Sequence, residues 1–309
     1  MRVTVTGGAG FIGSHLVDEF VKSHDVTVID NLSSGSKDFF SHHLGNKRFS
    51  FIKADLVDSR ACAGVFKKAS PEAVYHLAAN PDVRGGEKGS ASFQRNNVVA
   101  TLNVLDACRD GNIKKLVFAS TSTVYGNALA RPTPESYGPL LPISHYGASK
   151  LACEAYLSSY ADNYGLACAA MRFANVIGGR QNHGVIFDFI RKLKASPREL
   201  EILGDGKNSK SYVHVTDCVS GLLCVKTLKG SVEVYNLGSK GQTTVNEIAD
   251  EVIFQMGLSA KKIYTGKTWA GDVKLMSLDY SKLSKTGWKP KLDSNAAVKR
   301  AVGEVLAHG

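Results

Sequence analysis

The sequence has few cysteines and no apolar stretch long enough to cross a membrane. Its six cysteines stand alone rather than in Cys-x-x-Cys pairs, which predicts reduced thiols and no metal site. Its apolar runs fall well short of the ~20 residues that a bilayer requires. The first apolar segment begins beside Met1, which leaves no room for a signal peptide. We therefore expect a cytoplasmic protein with no membrane partner.

Common hydrolytic and phosphate-binding motifs are missing too. No Gly-x-Ser-x-Gly segment is present for an acyl-transfer serine, and no His-Glu-x-x-His segment for a zinc protease. Gly266-Lys267-Thr268 resembles the end of a P-loop, but Lys261 stands where the first glycine of that loop belongs.

Charge and composition describe an ordinary globular chain. Of the 309 residues, 43% are hydrophobic and 21% charged, and the net charge is +10. The basic residues are spread out, with modest clusters only at residues 191–194 and 282–291, so no nucleic-acid partner is predicted. A positive field of this kind suits a dinucleotide or a nucleotide substrate.

The first thirty residues predict a dinucleotide site. A short apolar strand, Met1–Thr6, runs into a glycine-rich turn, a helical pattern and a second strand, Asp25–Asp30, that ends in a carboxylate. Glycines allow close approach to a pyrophosphate, and the helix directs its free N–H groups at it. Asp30 suits a ribose 2′-hydroxyl and repels a 2′-phosphate, which favours NAD over NADP. The candidate pyrophosphate contacts are Gly7, Gly10, Phe11, Ile12 and Gly13.

Strands alternate with helices through the first 173 residues, which predicts a doubly wound parallel α/β sheet, the Rossmann arrangement. The predicted strands are Arg2–Thr6, Asp25–Asp30, Phe49–Lys53, Ala73–Leu77, Lys114–Ala119 and Leu166–Phe173. The clearest helices are Ser90–Asp110 and Tyr146–Tyr164. Small polar loops follow the strands, at Asp55, Ala78–Pro81 and Ser120–Ser122. Ligands of such sheets bind at these strand ends.

The pattern becomes irregular after about Asn175. Helices are predicted at Val185–Lys194, Thr216–Leu228, Val245–Met256 and Ser294–Leu306. We expect residues 1–173 to form the NAD-binding domain, with segment 211–239 returning to it. Residues 174–309 then form mainly a smaller C-terminal α/β lobe that binds the substrate.

Tyr146 and Lys150 form the candidate catalytic pair. Residues four apart share one face of a helix, so the Lys150 ammonium can approach the Tyr146 side. A free phenol ionises near pH 10, and lowering its pKa to about 7 requires roughly 4 kcal/mol. The ammonium and a positive nicotinamide ring could supply that together. The tyrosine would then act as a general base on an alcohol, and Thr121 is placed to donate a hydrogen bond to the same oxygen.

Several motifs together resemble the extended short-chain dehydrogenase/reductase family, and within it the nucleotide-sugar epimerase branch. They cover nearly the full length: Thr6–Ser14 (TGGAGFIGS), Asp30–Gly35 (DNLSSG), Asp55-Leu56, His76–Ala79 (HLAA), Asn97 in NNVVATLNVL, Ser120–Gly126 (STSTVYG), Tyr146–Lys150 (YGASK) and Arg172–Asn175 (RFAN). The resemblance implies a UDP-sugar substrate whose C4 is inverted with NAD through a 4-keto intermediate.

The resemblance also implies a role for each matched residue. Thr121, Tyr146 and Lys150 form the catalytic group, and Lys150 also contacts the nicotinamide ribose. The resemblance assigns the adenosine ribose to Asp30, Asn31, Ser33, Ser34 and Gly35, and the adenine to Asp55 and Leu56. The cofactor channel is lined by Leu77, Ala78, Ala79 and Pro81, with Asn97 nearby. The substrate contacts are Thr121, Tyr146, Asn175, Leu203, Lys210, Tyr212 and Asp272. Lys210 and Trp269 stand where the family usually has diphosphate-binding arginines, and a lysine cannot make the bidentate fork.

Two other functions remain open at this point. One is a sugar-nucleotide 4,6-dehydratase or UDP-glucuronate decarboxylase, although Ser122 and Thr123 occupy the positions where such relatives usually carry an acid. The other is a non-catalytic NAD-binding module. Relatives pair through two helices of each subunit, which predicts a homodimer formed by Ser90–Asp110 and Tyr146–Tyr164.

Overall fold

A computed structural model describes residues 1–84, 89–225 and 232–308 of the chain. Its strands are β1 (Arg2–Thr6), β2 (Asp25–Asp30), β3 (Phe49–Lys53), β4 (Ala73–His76), β5 (Lys115–Thr121), β6 (Ala167–Phe173), β7 (Asn175–Ile177), β8 (Glu199–Ile202), β9 (Ser209–Lys210), β10 (Tyr212–His214), β11 (Val232–Leu237), β12 (Thr243–Thr244), β13 (Lys261–Tyr264) and β14 (Leu275–Met276). Seven of them form one parallel sheet in the order β3-β2-β1-β4-β5-β6-β11. The doubly wound parallel fold is thereby confirmed.

The helices fill the connections between strands, as parallel pairing requires. They are α1 (Phe11–Phe20), α2 (Ser59–Ala69), α3 (Ala91–Phe93), α4 (Ala100–Asp110), α5 (His145–Tyr164), α6 (Val185–Ala195), α7 (Val215–Cys224), α8 (Val245–Gln255), α9 (Ser281–Ser284) and α10 (Ser294–His308). A short 3₁₀ helix, Lys37–His43, follows β2, and another, Ser122–Tyr125, follows β5.

Local sequence sets both ends of α5, the helix of the candidate catalytic pair. The Ser144 hydroxyl oxygen accepts the N–H of Gly147 at 3.1 Å, as an N-cap does. At the other end Gly165 adopts a left-handed conformation with φ of 66°, which glycine tolerates without strain. Tyr146 therefore lies in the first turn of the helix.

Alternate residues of the central strands supply two separate cores. In β5, Val117 packs on the face covered by α1 and α7, whereas Leu116 and Phe118 pack on the face covered by α2, α4 and α5. All three side chains are almost completely buried. Because both faces of these strands are buried, their sequences are continuously apolar and do not alternate between apolar and polar residues.

A third core holds the C-terminal part of the chain together. Helices α6, α8 and α10 contribute Ile186, Phe189, Ile248, Val252 and Ala301 to it, all buried. The strand β11, from the predicted returning segment 211–239, pairs with β6 at the edge of the large sheet. The division of the chain at residue 173 stays a prediction.

The predicted elements differ from the structure at a few functional positions. Strand β5 extends to Thr121 rather than ending at Ala119, so Thr121 lies at the carboxyl end of the strand. The predicted helix Ser90–Asp110 is interrupted by a π-helical segment, Gln94–Val99. The end of the predicted helix Thr216–Leu228 beyond residue 225 lies outside the described residues. Within the described ranges, no helix is long and apolar enough to span a bilayer.

A leucine pair tests the central core. Leu116 is completely buried in β5, so Leu116→Ala should lower the free energy of unfolding by about 2–5 kcal/mol. Leu129 is 87% exposed, and Leu129→Ala should change the free energy of unfolding by no more than about 0.5 kcal/mol. Urea unfolding followed by circular dichroism measures both, and equal midpoints for the two variants would contradict the assigned core.

Candidate active site

The glycine turn after β1 leaves no space for side chains. A Cβ on Gly7, whose φ is +69°, would lie 2.6 Å from the Ala78 backbone nitrogen, and a Cβ on Gly13 would overlap the Gly7 carbonyl oxygen. A Cβ on Gly35 would lie 2.6 Å from the Ala9 carbonyl oxygen. The turn therefore presents bare backbone at the carboxyl edge of the sheet.

The start of α1 has the properties of an anion site. Its N-cap is Gly10, without a side-chain cap, and its first turn carries no acidic residue. The N–H groups of that turn thus have no side-chain partner from the cap and face the positive end of the helix dipole. A pyrophosphate fits this position, as the sequence predicts for NAD.

Asp30 joins the end of β2 to the glycine turn. One carboxylate oxygen accepts the N–H of Ala9 at 3.1 Å, and the other accepts the N–H of Leu32 at 2.7 Å. Burial raises the pKa of Asp30, while these hydrogen bonds oppose that change. Each carboxylate oxygen can accept more than one hydrogen bond, so the group retains acceptor capacity for a ribose hydroxyl.

A groove of about 770 Å³ runs along this edge of the sheet. Its lining includes nearly all of the predicted cofactor contacts: Gly7, Gly10, Phe11, Ile12, Gly13, Asp30, Asn31, Ser33, Ser34, Asp55, Leu56, Leu77, Ala78, Ala79, Pro81, Tyr146 and Lys150. The two exceptions are Gly35, which acts through its close approach to Ala9, and Asn97. The volume of the groove and the chemistry of its lining, which includes the Asp30 carboxylate and the Tyr146 phenol, fit a dinucleotide.

Asn97 is bound to protein groups and is not part of the groove lining, and its predicted cofactor contact stays a prediction. It is buried in the π-helical segment, where its side-chain oxygen accepts the Asn80 N–H at 2.7 Å. Its amide nitrogen donates to the Ser149 hydroxyl at 2.9 Å, and Ser149 donates to the Tyr146 carbonyl oxygen at 2.8 Å. Asn97 therefore ties the loop after β4 to the catalytic helix. π-Helical turns are common at such sites.

Sequence patterns missed the contribution of the loop before α6 to the groove. Asn182 and His183, from the loop before α6, line it, and the Asn182 side chain donates to the Ser34 carbonyl oxygen at 3.2 Å. The same loop is tied to α10, because Gly179 donates its N–H to Glu304 at 2.8 Å. No local pattern signals such distant contacts. The loop is rich in glycine and amide side chains, a composition that is compatible with a ligand-binding loop.

The three candidate catalytic residues converge at the end of β5. The buried Lys150 ammonium donates to the Ala119 carbonyl oxygen at 2.9 Å and lies 6.0 Å from the Tyr146 ring centre. The Thr121 hydroxyl is near enough to the Tyr146 side chain to oppose the rise of its pKa. Its oxygen also accepts the Thr123 N–H at 3.2 Å, which orients it.

Burial dominates the protonation of this group. It raises the pKa of Tyr146 to about 12, and the Thr121 hydroxyl opposes that change. Burial also lowers the pKa of Lys150 to about 8. At neutral pH the protein alone therefore holds a protonated phenol beside a charged ammonium. Lys150 by itself does not lower the pKa of Tyr146 enough to make it a base. The hypothesis from the sequence therefore requires the positive nicotinamide ring as well.

Four of the predicted substrate contacts beyond residue 173 form two pairs, Asn175 with Tyr212 and Lys210 with Asp272. Tyr212 and Asn175 are register partners on the neighbouring strands β10 and β7. Leu203 follows β8 and is half-buried. Of the seven predicted substrate contacts, Tyr146 lines the groove as the described residues form it, and the other six do not.

Lys210 and Asp272 bind each other, a relation that the sequence did not predict. The Lys210 ammonium lies 2.7 Å from one Asp272 oxygen, and the Asn208 amide donates to the other oxygen at 2.7 Å. The Asp272 side chain is only 8% exposed. Both groups are therefore engaged within the protein rather than free for a diphosphate or a ribose.

One cluster of potential metal ligands lies away from the groove, although no metal site was predicted. Among the described residues, Asp18, His42 and His43 bring their ligand atoms within 4.8 Å of one another. Both histidines contact one Asp18 oxygen, at 2.9 and 2.7 Å, and Arg180 binds the other at 2.8 Å. The arginine already neutralises the carboxylate, so the cluster is explained as an ion-pair network.

The fold, the glycine turn and the tyrosine–lysine pair define a dinucleotide-dependent enzyme of the doubly wound class. Residues 3–238 match the model of the NAD dependent epimerase/dehydratase family, and the chain belongs to that family. It is 36% identical over 307 residues to a putative UDP-glucose 4-epimerase of Methanocaldococcus jannaschii, covering 97% of each chain.

Solved structures agree with this membership. The chain is 42% identical to a UDP-galactose 4-epimerase of known structure, with a TM-score of 0.89 over 100% of this chain and 99% of that one. It is 35% identical to the UDP-glucose 4-epimerase of Thermotoga maritima solved with UDP-glucose, with a TM-score of 0.88 and 98% of each chain covered.

A glycine pair tests the cofactor groove. In Gly13→Ala the new methyl group would overlap the Gly7 carbonyl and displace the turn, so the dissociation constant for NAD should rise at least about tenfold. The matched control is Gly64→Ala in α2, where a Cβ meets nothing within 4 Å. It should leave NAD binding unchanged and stabilise the protein by up to about 1 kcal/mol. Isothermal titration calorimetry measures both affinities, and equal NAD affinity in Gly13→Ala would contradict the assigned site.

Proposed function

We propose that this enzyme inverts the configuration at C4 of a UDP-hexose with NAD, interconverting UDP-glucose and UDP-galactose through a 4-keto intermediate. The observation that carries the proposal is the convergence of Tyr146, Lys150 and Thr121 at the nicotinamide end of the dinucleotide groove. The names of the relatives at 35–42% identity in the structural comparison support the same reaction.

The residues divide into two binding sets in this proposal. The pyrophosphate is held by Gly7, Gly10, Phe11, Ile12 and Gly13, and the adenosine ribose by Asp30 to Gly35. The adenine is held by Asp55 and Leu56, and the channel wall is formed by Leu77 to Pro81. Residues 1–173 with 211–239 form the cofactor unit, and 174–309 mainly the substrate unit. Asn175, Leu203, Lys210, Tyr212 and Asp272 hold the nucleotide end of the substrate.

Tyr146 moves the proton of the sugar 4-hydroxyl. In the forward half-reaction its phenolate oxygen accepts that proton as C4 is oxidised, and in the return half-reaction it gives the proton back. Bound NAD supplies the acceptor and donor of the hydride, together with the positive ring charge that the buried phenol requires. Thr121 donates a hydrogen bond to the same oxygen, and Lys150 stabilises the phenolate by its charge.

The second lobe holds the substrate while the sugar turns. Binding energy from the remote nucleotide fixes the diphosphate end and leaves the 4-keto sugar free to present its other face. The Lys210 ammonium is the cation placed near that end, and it exchanges its Asp272 partner for a phosphate oxygen on binding. That exchange frees Asp272 for a ribose hydroxyl.

Dehydration or decarboxylation is the second candidate, and the site favours it less. Removing water requires an acid beside the sugar, but the residues after Thr121 are the uncharged Ser122 and Thr123. Thr123 instead shares a hydrogen bond with Thr121 at 3.1 Å. Mass spectrometry of the product separates the two reactions, because epimerisation leaves the mass unchanged.

The enzyme is also proposed to be a cytoplasmic homodimer that serves galactose metabolism. Helices α4 and α5 pack side by side, and Val99 and Tyr164 present exposed apolar surface at that pair. Burying such surface against a second copy is favourable. Five of the six cysteines are buried and free, which suits a reducing compartment.

A tyrosine pair tests the reaction. Tyr146→Phe removes the proton acceptor but keeps the ring, so conversion of UDP-galactose to UDP-glucose should slow by about 10²–10⁴-fold while NAD still binds. Tyr156→Phe, on the exposed side of the same helix, should retain full activity. Undiminished turnover in Tyr146→Phe would overturn the assigned base, and an inactive wild-type enzyme with NAD present would overturn the proposed reaction.

A further inference from the structure

A buried ion pair lies directly behind the catalytic residues. Arg172, in β6, contacts both oxygens of Glu154, in α5, at 2.6 and 3.0 Å. The two side chains are 5% and 7% exposed. Ser120 donates its hydroxyl to the same carboxylate at 2.5 Å. Glu154 therefore connects the catalytic helix to two neighbouring strands at their carboxyl ends.

The ion pair is fixed on its far side as well. The Arg172 guanidinium lies 4.7 Å from the Tyr125 ring centre, and Tyr125 donates to Asn236 at 2.7 Å. Arg172 also donates to the Glu135 carbonyl oxygen at 3.5 Å. Because the arginine is packed against an aromatic ring and held by hydrogen bonds, it provides a rigid support for the Glu154 carboxylate.

The position of Glu154 links it to both Lys150 and Thr121. Glu154 follows Lys150 by four residues, so the two side chains share one face of α5. Lys150 binds the Ala119 carbonyl and Glu154 binds the Ser120 hydroxyl, and the next residue of β5 is Thr121. Two successive residues of the strand are thereby attached to two successive turns of the helix.

A buried ion pair is not explained by stability alone, because apolar residues of similar volume often serve equally well. What this pair adds is a fixed orientation and a fixed charge next to the site. We propose that Glu154 is a positioning residue of the epimerase reaction, which holds Thr121 in place through Ser120 and keeps Lys150 protonated by its negative charge. This inference rests on the proposed function.

The groups that face Lys150 agree with this role. Burial lowers the pKa of Lys150 to about 8, and Cys153 and Glu154 oppose that change. Burial raises the pKa of the Cys153 thiol, so it is neutral at neutral pH. On β4, burial and the Lys150 charge lower the pKa of His76 to about 3, so His76 is neutral as well. Beyond these groups, Tyr146 on α5 is protonated and β6 contributes the cationic Arg172. Glu154 thus supplies the negative charge among them.

The test is the pH dependence of kcat in Glu154→Gln. The amide keeps the shape but removes the charge that favours the ammonium, so the pKa of Lys150 falls and the alkaline limb of the profile moves to lower pH. If the pKa falls by about one unit from about 8, kcat at pH 8 should drop about fourfold more than kcat at pH 6.5. Glu154→Asp, which keeps the charge, should restore the alkaline limb.

Two further variants separate this role from a general structural defect. Asp162→Asn makes the same charge change at an exposed site of α5 and should leave the profile unchanged. Ser120→Ala keeps the ion pair and should therefore fold, and it should lower kcat severalfold at every pH with NAD affinity retained. Wild-type kcat in Ser120→Ala, or a uniform loss over the whole pH range in Glu154→Gln, would overturn the inference.

A measurement without turnover distinguishes this inference from the proposed reaction. NMR titration of ¹³C-lysine-labelled protein reports the pKa of Lys150 directly, with its signal assigned by its loss in Lys150→Met. A lower pKa in Glu154→Gln supports the charge effect even if the wild-type enzyme does not act on UDP-galactose. An unchanged Lys150 titration overturns it whatever the reaction proves to be.

Discussion

The hydrogen bond from the Lys150 ammonium to the Ala119 carbonyl is the contact on which the rest of the site depends. This bond holds a charged ammonium inside the protein. Burial disfavours the charged form and lowers the pKa of Lys150 to about 8. The arrangement persists because α5 is anchored at both ends and attached to β5 and β6 by Glu154. Much of the structure around the groove keeps one ammonium in one position.

A second constraint is steric. The glycine turn, the start of α1 and the loop after β4 approach each other so closely that added methyl groups would meet backbone atoms. Side chains would fill this space, and a dinucleotide needs it empty. The buried phenol and the bare turn line the same groove, so the fold brings an anion site and a proton-transfer group within the reach of a single extended ligand.

Local patterns predicted the parts of this protein that depend on neighbours in the chain. The glycine spacing, the Asp30 carboxylate, the strands and the Tyr146–Lys150 pair all follow from short segments, and the structure places them at one sheet edge. The contacts that were missed join distant segments: Lys210 with Asp272, Asn182 with Ser34, and Glu154 with Arg172. The contacts of Asn97 with Asn80 and Ser149 were missed as well, because the π-helical segment that carries it leaves no periodic signal in the sequence.

The bond between Asn182 and Ser34 has a consequence for the lifetime of the bound coenzyme. It joins the loop before α6 to the loop after β2 beside the groove, while Gly179, in the same loop as Asn182, is anchored to the last helix through Glu304. This contact would therefore oppose the escape of a coenzyme from the groove. An isomerisation that regenerates its oxidant in each cycle never requires that escape, so the dinucleotide would behave as a resident prosthetic group, and folding stability would rise with its occupancy.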